Sequence, residues 1–172
     1  VSEQAQIRRD KLAALQAEGR DPFQITKFDF DADSAAIKAD YEGFEGKTVS
    51  IAGRIITKRV MGKASFVNLR DGYGDIQLYV KRDDVGEEIY AEFKKWDIGD
   101  IIGVKGFVFK TQTGEISIHL NHIELLSKSL IPLPEKFHGL KDNDLRFRQR
   151  YVDVIVNPNV KRNFEIRSKF IK

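Results

Sequence analysis

The sequence predicts a mainly β protein: a five-stranded Greek-key barrel with helical segments before and after it. Three observations predict this fold. From Lys47 onward, apolar residues recur at every second position in several short runs, as in strands with one buried face. Asp71-Gly72-Tyr73-Gly74 separates two of these runs and has the composition of a hairpin turn. A single helical pattern, Glu87 to Trp96, follows the third run.

Residues 1–46 predict an N-terminal helical extension. Ser2 can cap a helix that runs to about Glu18, before Gly19 ends it. The apolar stripe expected on this helix is Ile7, Leu12 and Leu15. Asp21-Pro22 then breaks the chain, and a second short helix is expected from Ser34 to Tyr41.

Residues 47–128 carry the predicted barrel. Strand one begins near Lys47, and Gly53 suggests a bulge within it. Strands two and three are Ser65–Arg70 and Asp75–Lys81. Strand four runs through Ile102, Val104 and Val108, strand five through Ile116, Ile118 and Leu120, with the turn Lys110–Gly114 between them. Three strands, a helix and two strands are the element order of the OB-fold, which binds oligonucleotides on strands two and three and on two flanking loops.

Residues 129–172 are expected to form a linker followed by helices. Pro132 and Pro134 mark the linker, because proline lacks the amide hydrogen that a helix interior needs. Asp142 or Asn143 can cap the next helix, which Asn157-Pro158 ends. The helix is expected to present Leu145, Tyr151, Val152 and Ile155. A further amphipathic segment begins at Phe164 and stops at Lys172, so we expect the chain to be part of a longer protein.

Composition excludes several classes of protein and site. The 172 residues contain no cysteine, which excludes disulfides and thiolate metal sites and fits a reducing compartment, so we expect a cytoplasmic location. No apolar run approaches the ~20 residues that a membrane helix needs. The net charge of +3 says little by itself. The basic residues are concentrated instead: Arg54, Lys58, Arg59, Lys63 and Arg70 occur in a stretch without acidic residues.

The outer faces of strands two and three combine rings, amides and cations. Val67 and Leu69 are expected to face the core, which leaves Phe66 and Asn68 outside; on strand three Gln77 and Tyr79 share the outer face. Rings stack on bases, amides read base edges and cations hold phosphates. A simpler interpretation of the same residues is structural: an aromatic ring packed under a loop, beside charged side chains that are only solvated. Their position on the ligand-binding face of the predicted fold favours single-stranded nucleic acid.

Other candidate chemistry is weaker. Arg59 and Lys63 are expected in a glycine-containing loop beside that face, and Glu115 at the start of strand five, where a base N–H could donate to it. His119 and His122 are three positions apart on a strand, so we expect them on opposite faces and predict no metal site. Gly72-Tyr73-Gly74 lacks the third glycine of a dinucleotide loop. His138 stands alone in the linker, and no catalytic residues are predicted.

Six motifs resemble the N-terminal anticodon-binding region of bacterial-type class II lysyl-tRNA synthetases. They are Gly62–Val67, Asp75–Val80, Phe93–Asp100, Thr113–Ile118, Pro132–Leu140 and Arg146–Asp153, and the last two are the most discriminating. The resemblance implies that Phe66 stacks on the middle anticodon base, that Gln77 and Arg59 hold that base, and that Glu115 contacts the first anticodon base. Arg54 and Lys63 are weaker candidates for phosphate contacts.

The resemblance also implies the activity of a longer parent protein. Such an enzyme uses ATP and Mg²⁺ to form lysyl-adenylate and passes the lysyl group to tRNA. Its later class II motifs are not found in these residues, so we expect this piece to recognise tRNA without cofactor or catalysis. Asn163–Ile171 resembles the helix that precedes those motifs and forms the contact of a homodimer.

Three alternative functions remain open. The barrel could be a sequence-tolerant binder of single-stranded nucleic acid, or the anticodon domain of the related aspartyl or asparaginyl enzymes. A structural or protein-interaction barrel, whose basic face is merely solvated, would bind no RNA in a salt-dependent way.

Overall fold

The computed structural model describes residues 2–134, 140 and 142–172, and the chain divides into two compact units, Val1–Ile131 and Pro132–Lys172. The first unit contains the helices α1 (Glu3–Ala17), α2 (Ser34–Ala39), α3 (Tyr41–Phe44), α4 (Arg82–Val85) and α5 (Glu87–Lys95), and a 3₁₀ turn at Pro22–Gln24. Its strands are β1 (Thr48–Met61), β2 (Ala64–Arg70), β3 (Asp75–Lys81), β4 (Ile101–Lys110) and β5 (Ile116–Ser127).

The five strands close into a barrel in the order β1-β2-β3-β5-β4, which confirms the predicted OB-fold. Every neighbouring pair is antiparallel except β3 and β5, whose parallel pairing consists of Gln77 with Ser117, Leu78 with Ile118 and Tyr79 with His119. Alternation in β2 and β3 buries Val67, Leu69, Ile76, Leu78 and Val80, as predicted. Apolar residues of all five strands therefore fill the barrel, and the opposite faces of β2 and β3 lie outside.

Strand β1 contains a bulge, three residues after the position expected from the sequence. The register passes from Ile55 opposite Leu69 to Thr57 opposite Asn68, so Ile56 is the extra residue. Gly53 serves a different purpose: a Cβ there would lie 2.5 Å from the carbonyl oxygen of Arg70, and only glycine allows that approach. The bulge reverses the alternation of β1 beyond Ile55.

A second bulge, at Asn121 in β5, corrects the prediction for the two histidines. Lys105 pairs with His122 and Gly106 with Leu120, which leaves Asn121 unpaired. Leu120 and Ile123 are buried while Asn121 and His122 are exposed, so His119 and His122 share the outer face. The expectation of opposite faces was wrong because the extra residue breaks the strict period of two.

Helix α5 packs Phe93 into the barrel core, and Trp96 is buried just beyond the helix, as their helical spacing indicates. Tyr90 and Phe93 are buried, whereas Ile89 is exposed. The hydroxyl of Tyr90 keeps its hydrogen bonds although the residue is buried. It donates to the carbonyl of Gly62 at 3.0 Å and lies 2.8 Å from Ser65 Oγ. At the C-terminus of α5, Lys58 donates to the carbonyls of Phe93, Lys94 and Trp96 at 2.7–2.9 Å.

Helix α1 begins at the predicted cap, where Ser2 Oγ accepts from the amide of Ala5. Its buried residues are Ala5 and Arg8, however, and Ile7 of the predicted stripe is exposed. Arg8 donates to the carbonyl of Ser129, and Lys11 forms a salt bridge of 2.8 Å with Asp97. Leu15 of the stripe does pack, partly buried, against the core. The helix is thus attached by cations as well as by its apolar stripe, and hydrophobic periodicity reveals only the stripe.

A buried ion cluster lies between the α5–β4 turn and the end of β5. Lys128 Nζ contacts Asp97 and lies 2.8 Å from Asp100 Oδ2, and both Lys128 and Asp100 have less than 5% of their surface exposed. Asp100 also accepts from the amides of Asp97 and Ser129. Burial alone would raise the pKa of Asp97, but hydrogen bonds from Lys11 and Lys128 outweigh it and lower that pKa.

The carboxylate of Asp71 attaches α2 to the β2–β3 hairpin. It accepts from the amide and hydroxyl of Ser34, at 2.6 and 2.7 Å, and from the amides of Tyr73 and Gly74, at 2.7 and 2.9 Å. Burial raises the pKa of this carboxyl, but these hydrogen bonds outweigh it and the pKa falls below its ordinary 3.8.

Replacing Asp71 with asparagine is expected to lower the free energy of unfolding by about 2–4 kcal/mol, because an amide cannot accept all four bonds. The wild-type contribution is present above pH 3.8 and lost as pH falls through the depressed pKa, since the unfolded state takes up the proton first. Urea unfolding between pH 3 and 7 measures both effects. Asp83→Asn, at an exposed carboxylate, is the control; an equal acid response in the two variants would contradict the assignment.

The second unit contains α6 (Asn143–Arg148), α7 (Arg150–Val156) and α8 (Pro158–Ile171). Asp142 caps α6 as predicted, but the single helix expected from there to Asn157 is divided in two at Gln149. Buried Asp153 joins the helices, since it accepts from Arg146, Arg150 and Asn157. Residues 135–139 of the predicted linker motif, including His138, lie outside the described residues.

Candidate nucleic-acid interface

The barrel register places the predicted residues in two neighbouring rows on its outer face. Side chains directly opposite each other on paired strands point to the same side of the sheet. The first row is Arg59, Phe66, Tyr79, His119 and Phe107, and the second is Thr57, Asn68, Gln77, Ser117 and Phe109. The two rows cross all five strands on the outer side of the barrel, and Ser117 is the member that neighbouring side chains cover completely.

The bulge at Ile56 brings Arg59 into this surface. Without the extra residue, Thr57 and Arg59 would continue the inward alternation of Ile51 and Ile55. With it, Arg59 pairs with Phe66 and its guanidinium carbon lies 5.9 Å from the centroid of that ring. That distance is at the outer limit of a cation–π contact. The sequence had suggested that Arg59 lies in a loop; in the structure it lies near the end of β1.

Phe66 belongs to a cluster of rings. Its ring centroid lies 5.2 Å from that of Tyr79, and the ring of Tyr79 lies 5.0 Å from the imidazole of His119. Phe107 stacks on the same imidazole at 4.7 Å, while Phe109 packs edge-on to Tyr79 at 6.2 Å. Phe66 and Tyr79 are half-buried, so each keeps a face that solvent or a ligand can reach.

The amide of Gln77 has a defined orientation. Ser117 Oγ donates to Gln77 Oε1 at 2.9 Å across the β3–β5 pairing. The oxygen of the amide is thus engaged within the protein, and its NH₂ group is the donor that remains for a ligand. A donor in this position matches a base carbonyl better than a base amino group.

A depression of about 380 Å³ gathers the four residues that the sequence singled out most strongly. Its lining is Thr57, Lys58, Arg59, Phe66, Val67, Asn68, Gln77 and Glu115. A second depression of about 490 Å³ shares Arg59, Phe66 and Gln77 with it and continues to Tyr79, Phe109 and the turn 111–113. Ring, amide, guanidinium and carboxylate therefore border one concave surface.

The basic stretch identified in the sequence is less accessible than its composition suggests. Arg54 donates to the carbonyl of Gly99 at 2.7 Å and burial lowers its pKa. Burial also lowers the pKa of Lys58 to about 8, while its ammonium is bound at the end of α5. Arg70 pairs with Asp75 through two hydrogen bonds. Arg59 and Lys63 are exposed, but Lys63 and Arg54 do not line the depressions.

Sequence reasoning missed Phe107 and Phe109 as members of this surface and gave His119 no role in it. One signal was available: Phe107 and Phe109 flank Val108, so if Val108 faces the core, two large apolar residues must face outward. His119 was considered only as a metal ligand; its Nε2 lies 2.6 Å from Asp84 Oδ2.

Metal ligands and membrane spans were also sought. Within residues 2–134, 140 and 142–172, no group of three or more histidine, aspartate and glutamate side chains is arranged to hold a metal ion. The helices described in this same part of the chain are all too short or too polar to cross a membrane.

Comparisons with known proteins identify the same region. Residues 49–126 match the family of the OB-fold nucleic acid binding domain. The lysine–tRNA ligase of Clostridium tetani is 56% identical over 167 residues, which cover 97% of this chain and 33% of the relative. The lysine–tRNA ligase of Clostridium novyi is 55% identical over 165 residues, which cover 96% of this chain and 32% of the relative. The lysine–tRNA ligase of a Thermoanaerobacter species is 56% identical over 172 residues, which cover 100% of this chain and 34% of the relative.

The chain thus spans about a third of the length of the relatives it matches. The identity extends through the helical extension, the barrel and the second unit, because between 96% and 100% of the chain is aligned. The resemblance seen in the six motifs is confirmed by these matches. The chain therefore belongs to the lysine–tRNA ligase family over the region that it shares with these relatives, and that region includes an OB-fold nucleic acid binding domain.

Proposed function

We propose that this chain binds the anticodon loop of lysine tRNA on the outer face of its barrel. The observation that supports this most directly is the convergence of Phe66, Gln77, Arg59 and Glu115 on one depression. An unpaired base needs a ring to stack on and polar groups along its edge, and this depression supplies both. The names of the relatives supply the RNA class, since they are lysine–tRNA ligases.

Each residue has a distinct role in this proposal. Phe66 stacks on the middle base, and the NH₂ group of Gln77 donates to a carbonyl of that base. Arg59 lies beside both and holds the base from its other edge. Glu115 accepts a hydrogen bond from the first base, and Lys63 contacts the phosphate backbone at the turn between β1 and β2.

The middle base of a lysine anticodon is a uridine, and the orientation of Gln77 suits it. Uridine presents carbonyl oxygens on both sides of N3, whereas cytidine replaces one of them with an amino group. The NH₂ group of Gln77, whose amide is oriented by Ser117, can donate to a uridine carbonyl. Opposite cytidine it would face an amino group, which is another donor. Discrimination between these bases is therefore the property that separates this proposal from a sequence-tolerant single-strand binder.

Anticodon stem-loops with uridine or cytidine at the middle position test the proposal. The wild-type chain is expected to prefer uridine, and Gln77→Ala to reduce that preference about 2- to 13-fold, the equivalent of one hydrogen bond. Fluorescence titration gives the two dissociation constants. Asn121→Ala, an exposed amide on the β5 bulge, is the matched control. Equal affinity of the wild type for both loops would favour the sequence-tolerant binder.

We further propose that the whole protein is a lysine–tRNA ligase. It would use ATP and Mg²⁺ in residues beyond this region, act as a homodimer and work in the cytoplasm. ATP and Mg²⁺ take no part in the binding described here, which this chain's own side chains perform.

A further inference from the structure

Two short helices of the extension reach the turn that carries Glu115. Lys38 Nζ in α2 lies 3.8 Å from Glu115 Oε1, and Lys110 Nζ lies 4.4 Å from the centroid of the Tyr41 ring in α3. Main-chain bonds add to these contacts, since Gly46 N donates to the carbonyl of Val108 at 2.8 Å. The tip of the β4–β5 hairpin is therefore held from outside the barrel.

The helix that carries Lys38 has little freedom to move. Ile37, the preceding residue, is fully buried in the barrel core. Ser34 at the start of α2 is bonded through its amide and hydroxyl to Asp71. Both points attach α2 to the barrel, so they restrict where the backbone of Lys38 can lie relative to the turn.

The backbone of Glu115 is also constrained. Its amide donates to Thr111 Oγ1 at 3.0 Å, and its carbonyl accepts from the amide of Thr111 at 2.9 Å. Only the side-chain torsions of Glu115 are left to be set, and half of that side chain is exposed. A nearby ammonium favours orientations in which one carboxylate oxygen faces Lys38 and the other is available to a ligand.

The charge of Lys38 also has an effect on RNA. An uncompensated carboxylate at this position would repel the phosphates of any strand that enters the depression. Lys38 offsets that charge, while its distance of 3.8 Å leaves the carboxylate able to accept a hydrogen bond. The pair can therefore approach RNA more favourably than Glu115 alone.

We propose that Lys38 is a specificity-determining residue, which positions Glu115 to read the first anticodon base. The inference rests on the proposed function, because it assigns Glu115 to that base. It gives the helical extension a part in RNA selection, although Lys38 itself need not touch the RNA.

Stem-loops with uridine or cytidine at the first anticodon position test this inference. Uridine donates to the carboxylate through N3–H, whereas N3 of cytidine carries no hydrogen and the donor on that edge is its 4-amino group, at a different position. Lys38→Met is expected to reduce the wild-type preference for uridine at this position about two- to fivefold, the range for an exposed ion pair. The preference at the middle position should be unchanged, and Lys38→Arg should restore the first-position preference.

Three further measurements separate the inference from simpler roles of a lysine. Lys27→Met, at an exposed lysine of the same extension that pairs with Asp29, should leave the preference unchanged. In a Glu115→Gln background, Lys38→Met should have no further effect on the preference for uridine at the first position. A uniform loss of affinity for all loops, with a shallower salt dependence, would show a direct phosphate contact and overturn the inference. If wild type lacks middle-position discrimination, the proposed function itself fails.

Discussion

Replacing Phe66 with alanine is expected to weaken binding of the lysine anticodon stem-loop by roughly 5- to 150-fold, the equivalent of ~1–3 kcal/mol for one base stacked on an aromatic ring. The alanine removes the ring that lies beside both Tyr79 and Arg59. It also leaves Arg59 without its cation–π partner, so two of the proposed contacts are disturbed together. Titration at constant ionic strength measures the effect, since salt alone changes such affinities.

The matched control is Phe30→Ala, which removes an exposed ring from the helical extension. Phe66→Tyr should retain most of the affinity, because tyrosine keeps the aromatic face. Phe66 lies outside the buried core, so the thermal midpoint of the alanine variant should remain close to that of the wild type. Undiminished affinity of a folded Phe66→Ala variant would contradict base stacking at this position.

Replacing Lys128 with methionine is expected to lower the free energy of unfolding by about 3–5 kcal/mol. Methionine fills much of the same volume but leaves the carboxylate of Asp100 buried without its cation. Since small domains have net stabilities of about 5–15 kcal/mol, this loss is a large fraction of the total. Urea denaturation followed by circular dichroism measures the change.

Lys105→Met, at an exposed lysine of β4, is the control for the loss of one positive charge. A double variant, Lys128→Met with Asp100→Leu, should recover part of the lost stability because no buried charge then remains unpaired. If Lys128→Met alone costs no more than the control, the ion cluster contributes little to stability.

The strands and their faces could be predicted because alternation has a strict period of two and one face is buried. Ser65–Arg70 and Asp75–Lys81 have the predicted inward residues, so Phe66 and Gln77 could be placed outside without coordinates. The order of the elements then predicted the OB-fold, because three strands, a helical segment and two strands are the order found in that barrel.

The positions of the bulges could not be predicted, although Gly53 suggested one within strand one, and these positions decide which side chains complete the site. An extra residue such as Ile56 or Asn121 has no sequence signature of its own, since its position depends on the partner strand. Without the first bulge, Arg59 could only be described as a loop residue. Without the second, His119 and His122 were assigned to opposite faces.

Partners of charged residues were equally inaccessible to pattern reasoning. A run of basic residues predicts a positive surface potential only when its cations face solvent. Arg54, Lys58 and Arg70 are instead bound to groups of the protein itself. Lys38 and Glu115 are separated by 76 intervening residues, and only the fold brings them together.

The parallel pairing that closes the barrel is three residue pairs long, and it runs directly beneath the proposed ligand. Gln77 belongs to the strand on one side of this closure, while Glu115 directly precedes the strand on the other. An RNA strand that engages both residues would act as a cross-link over the shortest strand pairing of the barrel. RNA binding and opening of the sheet at that pairing then oppose each other, so opening favours release of the RNA and bound RNA disfavours opening.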